Sequence, residues 1–151
     1  MLFFLSAISS VSAQSFVNHG IGLHLGFPQK EHRTLSPEYE IGILNNNKGY
    51  YQGYIFGAGG SIPVINETRD LLSAFYLKGG YRLSSLSFGI IGGTKNTRNP
   101  QTYDSGFEAN FGGWIGMNIS RGLKLELGAD GFNGFKAGLV LYPNTVKNNR
   151  K

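Results

Sequence analysis

The chain has no cysteine among its 151 residues. That excludes disulfide staples and thiolate metal ligands, so the fold must rest on packing and backbone pairing. Long apolar runs are missing as well. Hydrophobic residues make up 40% of the chain, yet no stretch approaches the roughly 18 to 20 residues that a membrane-spanning helix needs. Charge is sparse at 15%, with a formal net charge of +5. The terminal run Lys147-Asn148-Asn149-Arg150-Lys151 holds three of the positive charges, so the body is only mildly basic. Nucleic-acid readers gather basic residues on one patch interleaved with aromatics. Here charges are spread singly, which excludes that class. The tail reads as a solvated terminus, open to contact with anionic headgroups or peptidoglycan.

Histidine is also scarce: His19, His24 and His32 are the three in the chain. His19 and His24 lie five apart in one extended segment, so they face opposite sides and cannot share a metal. His32 sits beside Glu31 and Arg33 with Ser36 nearby, without an orienting acid at defined spacing. Gly57-Ala58-Gly59-Gly60 and Gly92-Gly93 lack the following Lys-Ser/Thr and helix of a phosphate loop. No catalytic residue, cofactor site or metal site is expected, and the chain does not read as an enzyme.

What the chain has in quantity is glycine, 23 residues, and aromatics, 13%. Glycine disfavours helix interiors and aromatics favour strands and membrane interfaces. Both point to an all-β fold, and an alternation of apolar with glycine or polar residues runs through nearly the whole length. Leu123, Leu125, Leu127 and Ala129 share one parity against Lys124, Glu126, Gly128 and Asp130. Ile21, Leu23, Leu25 and Phe27 do the same against Gly20, Gly22, His24 and Gly26. Successive side chains of a strand point to opposite faces. The pattern therefore predicts sheet with one apolar face and one face of glycine and charge, which suits a small barrel in lipid with its wet side inward.

Eight segments follow: Phe16 to Phe27, Glu38 to Leu44, Tyr50 to Ala58, Ser73 to Leu83, Leu86 to Thr94, Gly106 to Asn118, Leu123 to Asp130 and Phe135 to Tyr142. In the third segment neither face is purely apolar, and the Tyr54 parity is assigned outward. The connections alternate in length. Long ones cover Gln29 to Pro37, Gly59 to Leu72 and Lys95 to Ser105, while Asn45 to Gly49, Ser84-Ser85 and Ile119 to Gly122 are short. Gly131 to Gly134 is shorter than the rule of long outer loops prefers. Upstream, Met1 to Ile8 is an apolar core followed by small residues up to Val11-Ser12-Ala13. Residues 1–13 are expected to be a signal peptide cleaved after Ala13, although no Lys or Arg precedes its core. Residues 14–143 then form one barrel domain and residues 144–151 a basic tail. The Ala13-Gln14 junction resembles export signals of Bacteroidota proteins.

In strand count, loop alternation, signal peptide and charged interior, Phe16 to Tyr142 resembles the small eight-stranded outer-membrane barrels typified by OmpA and OmpX. The resemblance implies an antiparallel up-and-down transmembrane barrel in a Gram-negative outer membrane. Its partners would be lipid and lipopolysaccharide, the barrel assembly machinery, and surface or envelope components met by the long loops. Such barrels often end on an aromatic; here that residue is Tyr142, followed by a polar tail. The resemblance also implies that inward charges pair into a plug. The inward parity holds His24, and the lumen charge network is Glu40, Lys78, Arg82, Glu108, Lys124, Glu126, Asp130 and Lys136. Pairing is the cheap arrangement for charges in a narrow lumen; the same residues lining a narrow gated pore is the functional alternative. Trp114 has inward parity and should pack against glycines. Tyr39, Tyr50, Tyr51, Tyr81, Tyr103, Phe107, Phe135 and Tyr142, near segment ends, read as interfacial girdles. A soluble secreted lipocalin-like barrel with an apolar ligand is the competing class, and it needs the apolar parity inside.

Overall fold

The computed structural model describes residues 15–28, 32–47, 50–66, 71–99 and 101–143. The expected signal peptide and tail lie outside these residues. Eight strands follow one another: β1 (Ser15–Phe27), β2 (His32–Asn47), β3 (Tyr50–Asn66), β4 (Leu71–Leu83), β5 (Leu86–Arg98), β6 (Ser105–Ser120), β7 (Leu123–Asp130) and β8 (Gly134–Leu141). Each pairs antiparallel with its neighbour in the chain, and β8 closes on β1 through Ile21↔Leu141 to Phe27↔Phe135. The fold is an all-β, eight-stranded, antiparallel closed barrel. Closure leaves no edge along the paired length, which is how a sheet this rich in apolar residues avoids open pairing sites.

The alternation sorts side chains as the pattern predicts. Ile21, Leu23, Leu77, Phe88, Ile90 and Ile115 point out and are exposed, while His24, Lys78, Lys124, Glu126 and Lys136 point in and are buried. β3 obeys the same rule: Tyr54 and Phe56 face out and Ile55 is buried inside. The inward glycines are spacers. A Cβ at Gly59 would strike the Tyr76 ring, and one at Gly22 or Gly138 would strike His24. Large polar side chains fit the lumen because the facing wall has none at those positions.

Pairing extends further than the sequence suggests. β2 begins at His32 rather than Glu38, β3 runs on to Asn66, and β5 to Arg98. Most of the first two long loops, and part of the third, is therefore sheet. Prolines do not stop these strands. Pro37 pairs with Leu23 of β1, while the β2–β3 ladder passes from Leu35↔Ile62 to Glu38↔Gly59 without a pair at Ser36 or Pro37. Pro63 pairs with Thr34 beside a register shift between Arg33 and Thr34. A residue that cannot donate is tolerated where the ladder is already interrupted. The remaining connections span four, two, four, two, six, two and three residues, so the alternation of long and short persists in milder form. The barrel thus has a loop end and a turn end.

Candidate functional site in the barrel lumen

The middle of the lumen is an ionic lattice assembled from four strands. β2 presents Glu38 and Glu40 two residues apart, β7 presents Lys124 and Glu126 likewise, and β4 sends in Tyr76 and Lys78. β1 adds His24. Lys78 Nζ lies 2.7 Å from Glu40 Oε2 and 2.8 Å from Glu126 Oε2, and it also contacts Glu38. Lys124 Nζ donates to Glu40 at 2.7 Å and lies 2.8 Å from Glu126. Both ammonium groups also sit over the Trp114 ring, 4.6 and 4.8 Å from its centroid. Each lysine thus bridges carboxylates from two strands, which ties opposite walls of the barrel together.

Phenols complete the lattice. Tyr76 donates to Glu38 Oε2 at 3.1 Å, and Tyr142 donates to Glu40. Tyr142 follows directly on the end of β8, and its side chain is buried in the lumen. His24 Nε2 stands 3.4 Å from Glu126 Oε1. His24, Glu38 and Glu126 bring three ligand atoms within 4.8 Å of one another. Lys78 touches both of those carboxylates, so its ammonium already supplies the cation that such a trio would hold.

Two satellites flank the lattice. Toward the turn end, Arg82 donates from Nε to Ser84 C=O at 3.0 Å and stacks its guanidinium 5.5 Å from the Tyr51 ring centroid. Toward the loop end, Lys136 Nζ lies 3.8 Å from Asp130 Oδ2 and 4.1 Å from the Tyr76 ring centroid. Asp130 Oδ1 accepts from the N–H groups of Phe132 and Asn133, at 2.9 and 2.8 Å. The short β7–β8 connection is thereby folded into the mouth, helped by Gly134 at φ 59°. Asn133 then binds Thr34, Ser36 and Ser61 through hydrogen bonds of 2.7, 3.2 and 3.1 Å. Phe132, fully buried, fills the remaining space.

Of the predicted network, Glu40, Lys78, Lys124 and Glu126 meet directly, and Asp130, Lys136 and Arg82 line the lumen above and below them. Glu108 does not belong. It is exposed and pairs with Lys95 at 3.1 Å. Its parity is inward, but β6 continues beyond the end of β7 there, so that face meets solvent above the rim. Trp114 packs as expected: a Cβ at Gly80 or Gly89 would come within 3 Å of it. Tyr142 is an inward residue and no part of a girdle. Two members were missed. Glu38 opens the predicted segment Glu38 to Leu44 and shares the parity of Glu40, so the signal for it is present in the sequence. Tyr142 shares the parity of Val140 and Lys136, a signal hidden by grouping it with the terminal aromatics.

Among the described residues, the buried charges balance: Lys78, Arg82, Lys124 and Lys136 against Glu38, Glu40, Glu126 and Asp130. Chemically the arrangement is a buried, charge-balanced network of ion pairs. No family model matches the chain, and no curated protein is detectably similar to it.

Proposed function

We propose that the chain is an exported outer-membrane β-barrel of a Gram-negative envelope, with a structural or surface-interaction role and a lumen closed by ion pairs. One observation carries the reading: the barrel is inside out. Its charged and hydrogen-bonding side chains are buried, while large apolar side chains stand exposed around the outside, from Val17 and Leu23 on β1 through Phe75, Phe88 and Ile115 to Leu139 on β8. An aqueous protein rarely exposes a contiguous apolar patch beyond a few hundred Å², whereas a lipid-facing barrel wall needs one. A soluble lipocalin-like carrier needs the opposite distribution. In this reading the termini and two-residue turns face the periplasm. The longer connections, with the β2–β3 and β5–β6 extensions, then form the outer contact surface. Lipid, lipopolysaccharide and the assembly machinery are its partners, with no catalysis assigned.

Membrane fractionation with a heat-modifiable gel shift tests this. The chain should sediment with outer membranes, resist carbonate extraction, and run at different mobility with and without boiling. A chain recovered wholly from the soluble periplasm or medium would sink the reading.

A further inference from the structure

β6 is longer than the strand beside it. It pairs with β5 from Arg98↔Ser105 to Leu86↔Met117, but its ladder with β7 starts only at Gly112↔Asp130. Among the described residues no strand lies against Ser105–Phe111 on that side. The last bond there fixes the facing: Gly131 N–H donates to Phe111 C=O at 3.3 Å, so the Phe111 carbonyl points toward the β7 side. Peptide groups alternate along a strand, so Ala109, Phe107 and Ser105 turn N–H and C=O to the same open side. From Ser105 to Ala109 the strand is exposed on both faces. Such an edge is a template for another strand.

The residues themselves select the occupant. Laid antiparallel against its own copy about a two-fold axis at Phe107, the edge sets Ser105 opposite Ala109, Gly106 opposite Glu108 and Asp104 opposite Asn110. No like charges meet. Glu108 is already neutralised by Lys95 at 3.1 Å and faces only glycine. The Phe107 side chains, 79% exposed in the single chain, come together as a cross-strand aromatic pair. Identical edges joined this way close at two copies. We propose that this chain forms a two-fold dimer by pairing the Ser105–Ala109 edges of β6, through about six backbone hydrogen bonds. The dimer goes beyond the membrane reading and does not depend on it.

Cysteine cross-linking of the purified full chain reads the register, because the native sequence offers no thiol. Directly opposed residues have Cα atoms about 5.5 Å apart, within disulfide reach. Phe107→Cys should therefore give a disulfide-linked dimer under mild oxidation. Phe111→Cys should not, since the two thiols would sit roughly 25 Å apart along the strands. Ala109→Pro removes one edge donor in each copy and should raise the dimer dissociation constant about tenfold or more in sedimentation. Its barrel closure can be verified by the same gel shift. The proposal is overturned by a monomeric wild type, by equal cross-linking at both positions or at neither, or by an Ala109→Pro chain that dimerises as tightly as wild type. It is equally overturned if the chain stays monomeric while its edge captures a strand of another protein.

Discussion

At the scale of single residues, position relative to the rim decides what a charge contributes. Glu126 and Glu108 both have inward parity and both face a lysine. Glu126 is fully buried, touches Lys78 and Lys124, and stands beside His24. Glu108 is exposed and touches Lys95. Removing one member of a buried ion network leaves uncompensated charge in a dry interior, at a cost of about 3–5 kcal/mol. An exposed pair contributes about 0–1 kcal/mol. Glu126→Gln should therefore lower the urea midpoint of unfolding strongly, and Glu108→Gln should barely move it. The two lysines over the Trp114 ring make the single tryptophan a direct fluorescence probe. Equal midpoints for the two variants would contradict the lattice.

At the scale of one strand, β4 carries two adjacent glycines that face opposite ways. A Cβ at Gly79 meets nothing within 4 Å, whereas one at Gly80 lies 2.3 Å from the Phe88 carbonyl oxygen and 2.7 Å from Trp114. Gly80→Ala should destabilise by about 1–3 kcal/mol, because the thin wall between β4 and β5 must move. Gly79→Ala should be neutral or stabilise by up to about 1 kcal/mol, since alanine loses less chain entropy on folding. Thermal or denaturant unfolding of the pair measures this, and identical shifts would mean that the inward glycines are not spacers. The same strand explains the reach of Lys78. Its wall position opposite Gly57 leaves room for the lysine stem, which a Cβ there would strike at 2.9 Å.

At the scale of the whole molecule, the exposed apolar outer wall and the charge-balanced lumen are the two sides of one alternation. If the proposed membrane reading holds, Ile90, 74% exposed on the outer wall of β5, lies in hydrocarbon. Ile90→Arg should cost about 2–4 kcal/mol of folding stability in bilayers if it sits near the midplane. In an aqueous barrel the same change would relieve an exposed apolar residue and improve solubility. Reversible unfolding in lipid vesicles distinguishes these outcomes; an unchanged or raised stability would reject the lipid-facing wall.

Much of this architecture is legible from the order of residues. Leu123 to Asp130 states its own facing, because a strand has a period of two and a barrel wall has two unlike sides. The glycines of the inward parity announce a tight interior, and the strand count and closure follow from eight such segments. Strand ends were less legible. Pro37 and Pro63 fall in stretches that read as long connections until the neighbouring ladder shows where a missing donor is harmless. Glu108 reads as a lumen residue until the early end of β7 leaves it above the rim. The partners within the lumen could not be read at all: Lys78 meets Glu126 across 48 residues of chain, and Lys124 meets Glu40 across 84. By itself the sequence determined which side chains point inward, since parity is a local property of the backbone. Only tertiary structure decided which of them touch, because register, closure and strand length place residues of distant strands at the same depth.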